Sequence, residues 1–405
     1  MRQSRRSFFE VLTAGRPDPT LDAGGLSGLW IAARGHEEYQ AQAAQGAAAS
    51  RQPQLPPGVK AIRISSNENP LGPGKAALDA ITRKFPEAGR YPFNSSPADG
   101  ALVKAIADKF STKPENVVLG AGSQEILKSA VRAFTSPTKS LVTASPSFEN
   151  CAQLAKKLGH PVNEIKVDAA FRLDLEAMAA AAKGAGLVFL NNPNNPTATV
   201  HGSKAIADFV QRVRAASPDT VILIDEAYHD YVTDPSYESA TPLAMQTPNV
   251  FVARTFSKAY GMAGMRIGYA IGQAGTVKPL AQLKMPYNVS VFGVAAALAA
   301  LADTRHIEEE RARNTEVRTF TMKALDDLGC RSSESQGNFL FVDVGRPAAE
   351  FRDACAKQGI FVGRDFPPFE KSHARISLGT MEEMKKATAV FRTVLRPVVT
   401  TAGGR

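Results

Sequence analysis

The chain predicts an α/β fold in which a buried, mainly parallel sheet is flanked by helices and joined by a smaller α+β unit. Three observations predict it. Short apolar runs recur between residues 117 and 271, with none of the alternation of a sheet wetted on one face. Helical patterns separate these runs. After residue 300 the alternation stops, and one long charged amphipathic helix leads into three short strand candidates.

The elements follow in order. Val117-Val118-Leu119 is a strand run, followed by a glycine turn and a helix ending at Phe134. Further strand runs lie at 140–143, 187–190, 220–224, 249–253 and 266–271, with helical stretches at 152–158 and 204–215. In the smaller unit the helix spans 305–328 and the strands 339–344, 359–362 and 374–378. The chain therefore divides into an arm and linker (1–58), a segment over 59–95, a large unit (96–300), a small unit (301–396) and a tail (397–405). In parallel sheets ligands sit beyond the carboxyl ends of the strands, so the polar residues that close these runs are the ones to inspect.

Composition removes several classes of function. At 44% hydrophobic and 21% charged over 405 residues, the chain has a core that needs no covalent staple. Cys151, Cys330 and Cys355 are odd in number and lack CxxC spacing, so no disulfide framework is expected. The histidines are scattered and no metal site is expected. Lys and Arg are interspersed with acids rather than clustered with aromatics. The net charge of +9 therefore suits small anions rather than nucleic acid. No apolar run approaches the roughly 18 residues of a membrane span.

Near the N-terminus, Ser4-Arg5-Arg6-Ser7-Phe8-Phe9 resembles a twin-arginine export signal. Residues 13–25 place Arg16, Pro17, Asp18, Pro19 and Asp22 where such a signal needs an apolar core. A retained basic arm and a cytoplasmic location are expected, with export of the folded protein as the alternative. Residues 40–58 are rich in Ala, Gln and Pro and read as a linker.

Several strand ends carry unusual chemistry. Gly120-Ala121-Gly122-Ser123 opens a helix, whose free N–H groups make an anion seat. Asn191-Asn192-Pro193-Asn194-Asn195-Pro196-Thr197 is a rigid turn able to aim an amide. Asp225 closes a fully apolar strand, where a carboxylate costs free energy unless it meets a cation. Thr255, Ser257, Lys258 and Arg266 follow within a dozen residues and suit a phosphate joined to an electrophile.

The run from Ser257 and Lys258 through Gly261, Gly264, Arg266 and Gly268 resembles the lysine motif of class I and II aminotransferases. Ser66-Asn67-Glu68-Asn69-Pro70-Leu71-Gly72, Arg90-Tyr91-Pro92, Gly337-Asn338-Phe339 and Ala374-Arg375-Ile376-Ser377 look like the histidinol-phosphate aminotransferase branch. The resemblance covers about residues 60–395. It implies a seven-stranded sheet, pyridoxal 5'-phosphate as cofactor and a homodimer with shared active sites. It implies that Lys258 binds the cofactor as a Schiff base and then moves the proton at the substrate Cα. Asp225 would keep the pyridine nitrogen protonated, and Tyr228 and Asn195 would bond the ring oxygen. Phe148 would stack on the ring. Gly122, Ser123, Thr255, Ser257 and Arg266 would hold the phosphate, with Tyr91 reaching it from the second subunit. Arg375 would take the substrate carboxylate, with Asn69, Asn338 and Arg364 lining the substrate side.

Three departures from that family stand out. Ala198 replaces a usual glycine, which should alter only the turn. Phe148 replaces a frequent tyrosine. Gly363 intervenes between Val362 and Arg364, displacing the arginine that the branch uses for a substrate phosphate. The implied activity is transfer of nitrogen from an amino acid, or a similar amine, to a keto acid such as 2-oxoglutarate. A decarboxylase or an oxygen-using oxidase would share the same motifs. A regulatory module ranks last, because no DNA-binding motif supports it.

Overall fold

In chain order the strands are β1 (Ile62–Ile64), β2 (Val117–Ala121), β3 (Leu141–Ser145), β4 (Val162–Lys166), β5 (Leu187–Asn191), β6 (Val221–Asp225), β7 (Val250–Thr255), β8 (Ile267–Gly272), β9 (Phe339–Asp343), β10 (Ile360–Val362) and β11 (His373–Ser377). They come from a computed structural model that describes residues 61–91 and 98–395. The twin-arginine-like segment, the linker, Pro92 and the tail lie outside the described residues.

Seven strands form one sheet in the order β2-β8-β7-β6-β5-β3-β4. The pairs β3–β4, β3–β5, β5–β6 and β6–β7 are parallel, and β8 runs antiparallel to both β2 and β7. The sheet is mainly parallel because helices cross between its strands and cover both faces. Strand β5 shows the consequence. Leu187 and Phe189 enter one core with Leu223, Phe251 and Leu127, while Val188 and Leu190 enter the opposite core with Ile222, Val252 and Phe209. Burial on both faces turns the period-two alternation into a continuous apolar run. Each such large side chain contributes about 1.5–3 kcal/mol when fully buried.

The edge strand β4 escaped the sequence reading. Its Asn163, Glu164 and Lys166 are exposed, and its Val162 and Ile165 only half-buried, as befits an edge. The three strand candidates after residue 300 all form strands, in two separate pairs. β9 and β11 pair antiparallel, but β10 pairs in parallel with β1, from the other end of the chain. A third core, including Ile64, Leu340, Phe351, Val362, Ile376 and Phe391, unites these pairs with helices Ala348–Lys357 and Met381–Leu395. The helix Thr304–Asp326 ends two residues before the predicted boundary. The three cysteines are free and buried. Among the described residues no helix is long and apolar enough to cross a membrane.

Register brings the chemical residues to one edge of the large sheet. Asn191 lies opposite Asp225, Asp225 opposite Ala253, Thr255 opposite Gly268, and Gly268 opposite Gly120. Gly268 permits a close approach of backbones. A Cβ there would stand 2.2 Å from the Ser123 nitrogen and 2.9 Å from the Arg254 carbonyl oxygen, both backbone atoms. Gly268→Ala should therefore cost about 3 kcal/mol, near the upper end for overpacking, read as a lower urea midpoint with unchanged m. An unchanged midpoint would show that the backbone here yields freely.

Candidate active site

The first half of the site is an anion cradle. Gly122 precedes the helix Ser123–Phe134 at φ 76°, a left-handed conformation open to glycine. A Cβ at Gly122 would fall 2.3 Å from Arg266 Nη2, so the missing side chain also makes room for the guanidinium. Thr255 Oγ1 donates to Ser257 Oγ at 2.9 Å, and Arg266 Nη1 donates to the same Ser257 oxygen at 3.3 Å. Arg266 also donates to the carbonyls of Ala263 and Ala121, so its partners among the described residues include no carboxylate. A helix N-terminus, two hydroxyls and an uncompensated guanidinium together fit a phosphate dianion.

The second half pairs a carboxylate with an amine. Asp225 is 2% exposed, and among the described residues its carboxylate accepts only the Ala227 N–H, on Oδ1 at 3.2 Å. Burial pushes its carboxyl up to about 7; the Ala227 N–H pulls down, Glu226 adds upward and Lys258 pulls down again. Its neighbour Glu226 is in the opposite situation. It accepts from Arg254 Nε and Nη2 at 3.0 and 2.8 Å and also bonds Ser239 and the Ala240 N–H. Asp225 is thus the carboxylate still lacking a cation. Lys258, half-buried, donates from Nζ to the Ser66 carbonyl at 3.1 Å and stands 5.6 Å from the Tyr228 ring centroid. Burial lowers its amine to about 8, and Arg375 adds to that effect.

Tyr228 and Asn195 complete this half. The Tyr228 hydroxyl accepts Asn67 Nδ2 at 3.1 Å, which leaves its own proton to be donated elsewhere. Asn195 is fixed by its N–H on Asn191 Oδ1 at 2.8 Å, and its Oδ1 accepts Arg375 Nη1 at 2.8 Å. Arg375 Nη2 donates to the Ser65 carbonyl at 2.6 Å, while its buried Nε has no partner. Burial lowers Arg375 to about 10. Asn338 donates to the Asn67 carbonyl at 3.1 Å, and its buried Oδ1 is also without a partner. Unmet buried polar atoms of this kind mark places for ligand groups.

Other predicted residues lie elsewhere in the arrangement. Asn69 spends its side chain on the Ala259 carbonyl and the Leu71 N–H, bracing the segment beside Lys258. Phe148 is half-buried against the core that contains Leu127. Arg364 Nη2 donates to Glu149 Oε1. Tyr91 is exposed, with its ring 4.8 Å from that of Tyr287. Ala198 takes φ 58° inside the core, the conformation a glycine would enter without strain.

Sequence reading missed Asn67 as a contributor. Its Oδ1 accepts Ser377 Oγ at 2.6 Å, and its own N–H donates back to that hydroxyl at 2.8 Å. Asn67 sits at φ 54°, a region Asn tolerates better than most residues. That tolerance is the one local signal that could have flagged it.

The two adjacent acids should respond oppositely to removal. Glu226→Ala leaves the buried Arg254 charge unpaired and should cost about 3–5 kcal/mol in urea unfolding. Asp225→Ala removes an unpaired carboxyl that holds its proton up to about 7 when folded but releases it near 3.8 when unfolded. Without cofactor, wild-type stability should therefore fall relative to this variant as pH rises from about 4 to about 7, by on the order of 4 kcal/mol, and stay level above that range. A pH-independent difference would mean that Asp225 is already compensated.

Comparisons with known proteins meet this geometry. Residues 59–391 match the family described as Aminotransferase class I and II. A histidinol-phosphate aminotransferase of Moorella thermoacetica is 34% identical over 345 residues, covering 84% of this chain and 86% of the relative. Histidinol-phosphate aminotransferase 1 of Cupriavidus pinatubonensis is 36% identical over 305 residues, 74% of this chain and 79% of its own. The crystal structure of histidinol-phosphate aminotransferase from Sinorhizobium meliloti, in complex with pyridoxal-5'-phosphate, aligns with TM-score 0.77 at 30% identity over 83% of this chain and 91% of that one. With its lysine, its uncompensated aspartate and its anion cradle in chain order on this sheet, the chain belongs to the class I and II aminotransferases.

Proposed function

We propose that this protein carries pyridoxal 5'-phosphate on Lys258 and transfers the amino group of an amino acid, or an amino-acid-like amine, to a keto acid. The observation that carries the reading is the juxtaposition at adjacent strand ends of a buried carboxyl without a cation, a depressed lysine and an anion cradle whose arginine bonds no carboxylate among the described residues. When bound, the cofactor supplies an electron sink for the bond broken at the substrate Cα.

The chain's own residues supply the rest. The N–H groups at Gly122 and Ser123, the hydroxyls of Thr255 and Ser257, and Arg266 hold the phosphate. Asp225 keeps a proton on the pyridine nitrogen, which meets the cation its carboxylate lacks. Phe148 packs on the ring. Tyr228 donates its hydroxyl proton to the ring oxygen, because Asn67 already occupies the hydroxyl as a donor. Asn195, its Oδ1 taken by Arg375, offers its Nδ2 to the same oxygen. Arg375 binds the substrate carboxylate with its unpartnered Nε, and Asn338 offers its free Oδ1 on that side. Lys258 Nζ would take the proton from the substrate Cα and return it to the cofactor carbon that bore the aldehyde. The amine can do this near neutral pH because burial favours its uncharged form. A homodimer, in which Tyr91 reaches the partner's phosphate site, completes the proposal.

The purified protein should be yellow, and borohydride should fix the cofactor to a peptide containing Lys258. Lys258→Ala should lose this trapping and at least about a thousandfold in kcat. Turnover should require a keto acid, with no oxygen consumed and no CO₂ released. Oxygen uptake or CO₂ release would favour the oxidase or decarboxylase instead, and a colourless protein that takes up no cofactor would sink the whole reading. The rate at which apoprotein takes up the cofactor should rise with pH and level off above about 8, since only uncharged Lys258 attacks the aldehyde. A rate independent of pH from 6 to 9 would contradict the depressed lysine.

A further inference from the structure

The turn between β10 and β11 departs from the family pattern, and its geometry gives that departure a meaning. Gly363 donates its N–H to the Arg375 carbonyl at 2.9 Å, and a Cβ at Gly363 would stand 2.6 Å from that oxygen. The glycine therefore lets the turn lie flat against the strand that carries Arg375. Arg364 and Arg375 share one aromatic ring. Their guanidinium carbons lie 4.2 and 4.8 Å from the centroid of the buried Phe366. Arg364 then donates to Glu149, the residue directly after Phe148 and just before the helix Asn150–Lys157. The ion pair thus ties the turn beside Arg375 to the loop that carries Phe148. Its side chains are 51% and 30% exposed, so the pair is open to incoming solutes.

We propose that Glu149 is a specificity-determining residue: by occupying Arg364, it makes the far end of the donor site reject a second anionic group, so the preferred donors carry an uncharged side chain. The inference rests on the reading of Arg375 as the carboxylate site. A donor with a distal carboxylate or phosphate would have to displace Glu149 from Arg364. It would then exchange one charge-assisted bond to Arg364 for another and lie beside the unpaired Glu149 carboxylate, so its net effect is a repulsion. An uncharged side chain makes no demand on Arg364 and leaves the pair intact. Solvent reaches the pair and screens it, so the discrimination is about tenfold rather than thousandfold.

Two four-carbon acids isolate the effect. Butyrate and succinate each offer one carboxylate to Arg375, and succinate alone carries a second. Calorimetric titration of the cofactor-loaded wild type should show butyrate binding about tenfold more tightly than succinate. In Glu149→Gln, succinate should tighten about tenfold while butyrate is unchanged, and the double variant Glu149→Gln/Arg364→Gln should lose that gain. The ratio of kcat/KM for aspartate over 2-aminobutyrate should move in the same direction. Succinate binding as tightly as butyrate, or tighter, in the wild type, or an affinity ratio that Glu149→Gln leaves alone, would overturn the proposal. Failure of the wild type to bind either acid would overturn it together with the Arg375 reading, whereas borohydride trapping on Lys258 would stand independently of both.

Discussion

A buried carboxyl without a cation, Asp225, is the constraint around which the rest of the site is arranged. Holding it at the end of β6 costs free energy, as its upward shift to about 7 records. The same sheet edge shows how easily the fold could have relieved that cost. Glu226, the next residue, has a guanidinium, a hydroxyl and a backbone N–H as partners. The difference between these neighbours separates a carboxylate that serves the fold from one kept for a ligand. Lys258 is close enough to pull the Asp225 carboxyl down but forms no ion pair with it, so both groups retain reactivity that a salt bridge would quench.

The parallel sheet makes this separation feasible. Strands β5, β6 and β7 run side by side and end together, so Asn191, Asp225 and Thr255 share one rim. β8 runs the other way, and Gly268 near its start lies against the backbone of the Ser123 helix turn. Backbone contact thereby helps to fix the anion cradle against the lysine loop, beside the side-chain bonds of Asn69, Ser257 and Arg266. A second constraint comes from β11. Its alternate residues Arg375 and Ser377 reach Asn195 and Asn67, and Asn67 in turn orders Tyr228. The small unit therefore sets the orientation of groups that belong to the large sheet.

Much of the fold was legible because the strands of the large sheet are buried on both faces. Six of the runs, from Val117 to Gly272, match strands to within two residues at each end. β4 was not legible: an edge strand with Asn163, Glu164 and Lys166 facing water carries no apolar run. β1 was missed because three residues hold too little pattern, and its partner β10 lies at the far end of the chain. In the site, Lys258, Asp225, Arg266 and Gly122 stood out because each sits in a local pattern with a chemical reason. Asn67 and Glu149 did not, because what matters about each is a partner distant in sequence.

The sequence by itself determined the order of the elements and the inventory of reactive groups. These follow from local rules: apolar runs between helices, glycine before a helix, a charged residue closing a buried strand. Only the tertiary structure decided which groups meet. Asn195 and Arg375 are 180 residues apart, Tyr228 and Asn67 161 apart, and Arg364 and Glu149 215 apart, yet each pair shares a hydrogen bond. Such pairings depend on how strands order and how the segments around β9 to β11 dock on the large sheet. That is why the lysine could be named from its neighbours in sequence, while the state of Arg364 required the fold.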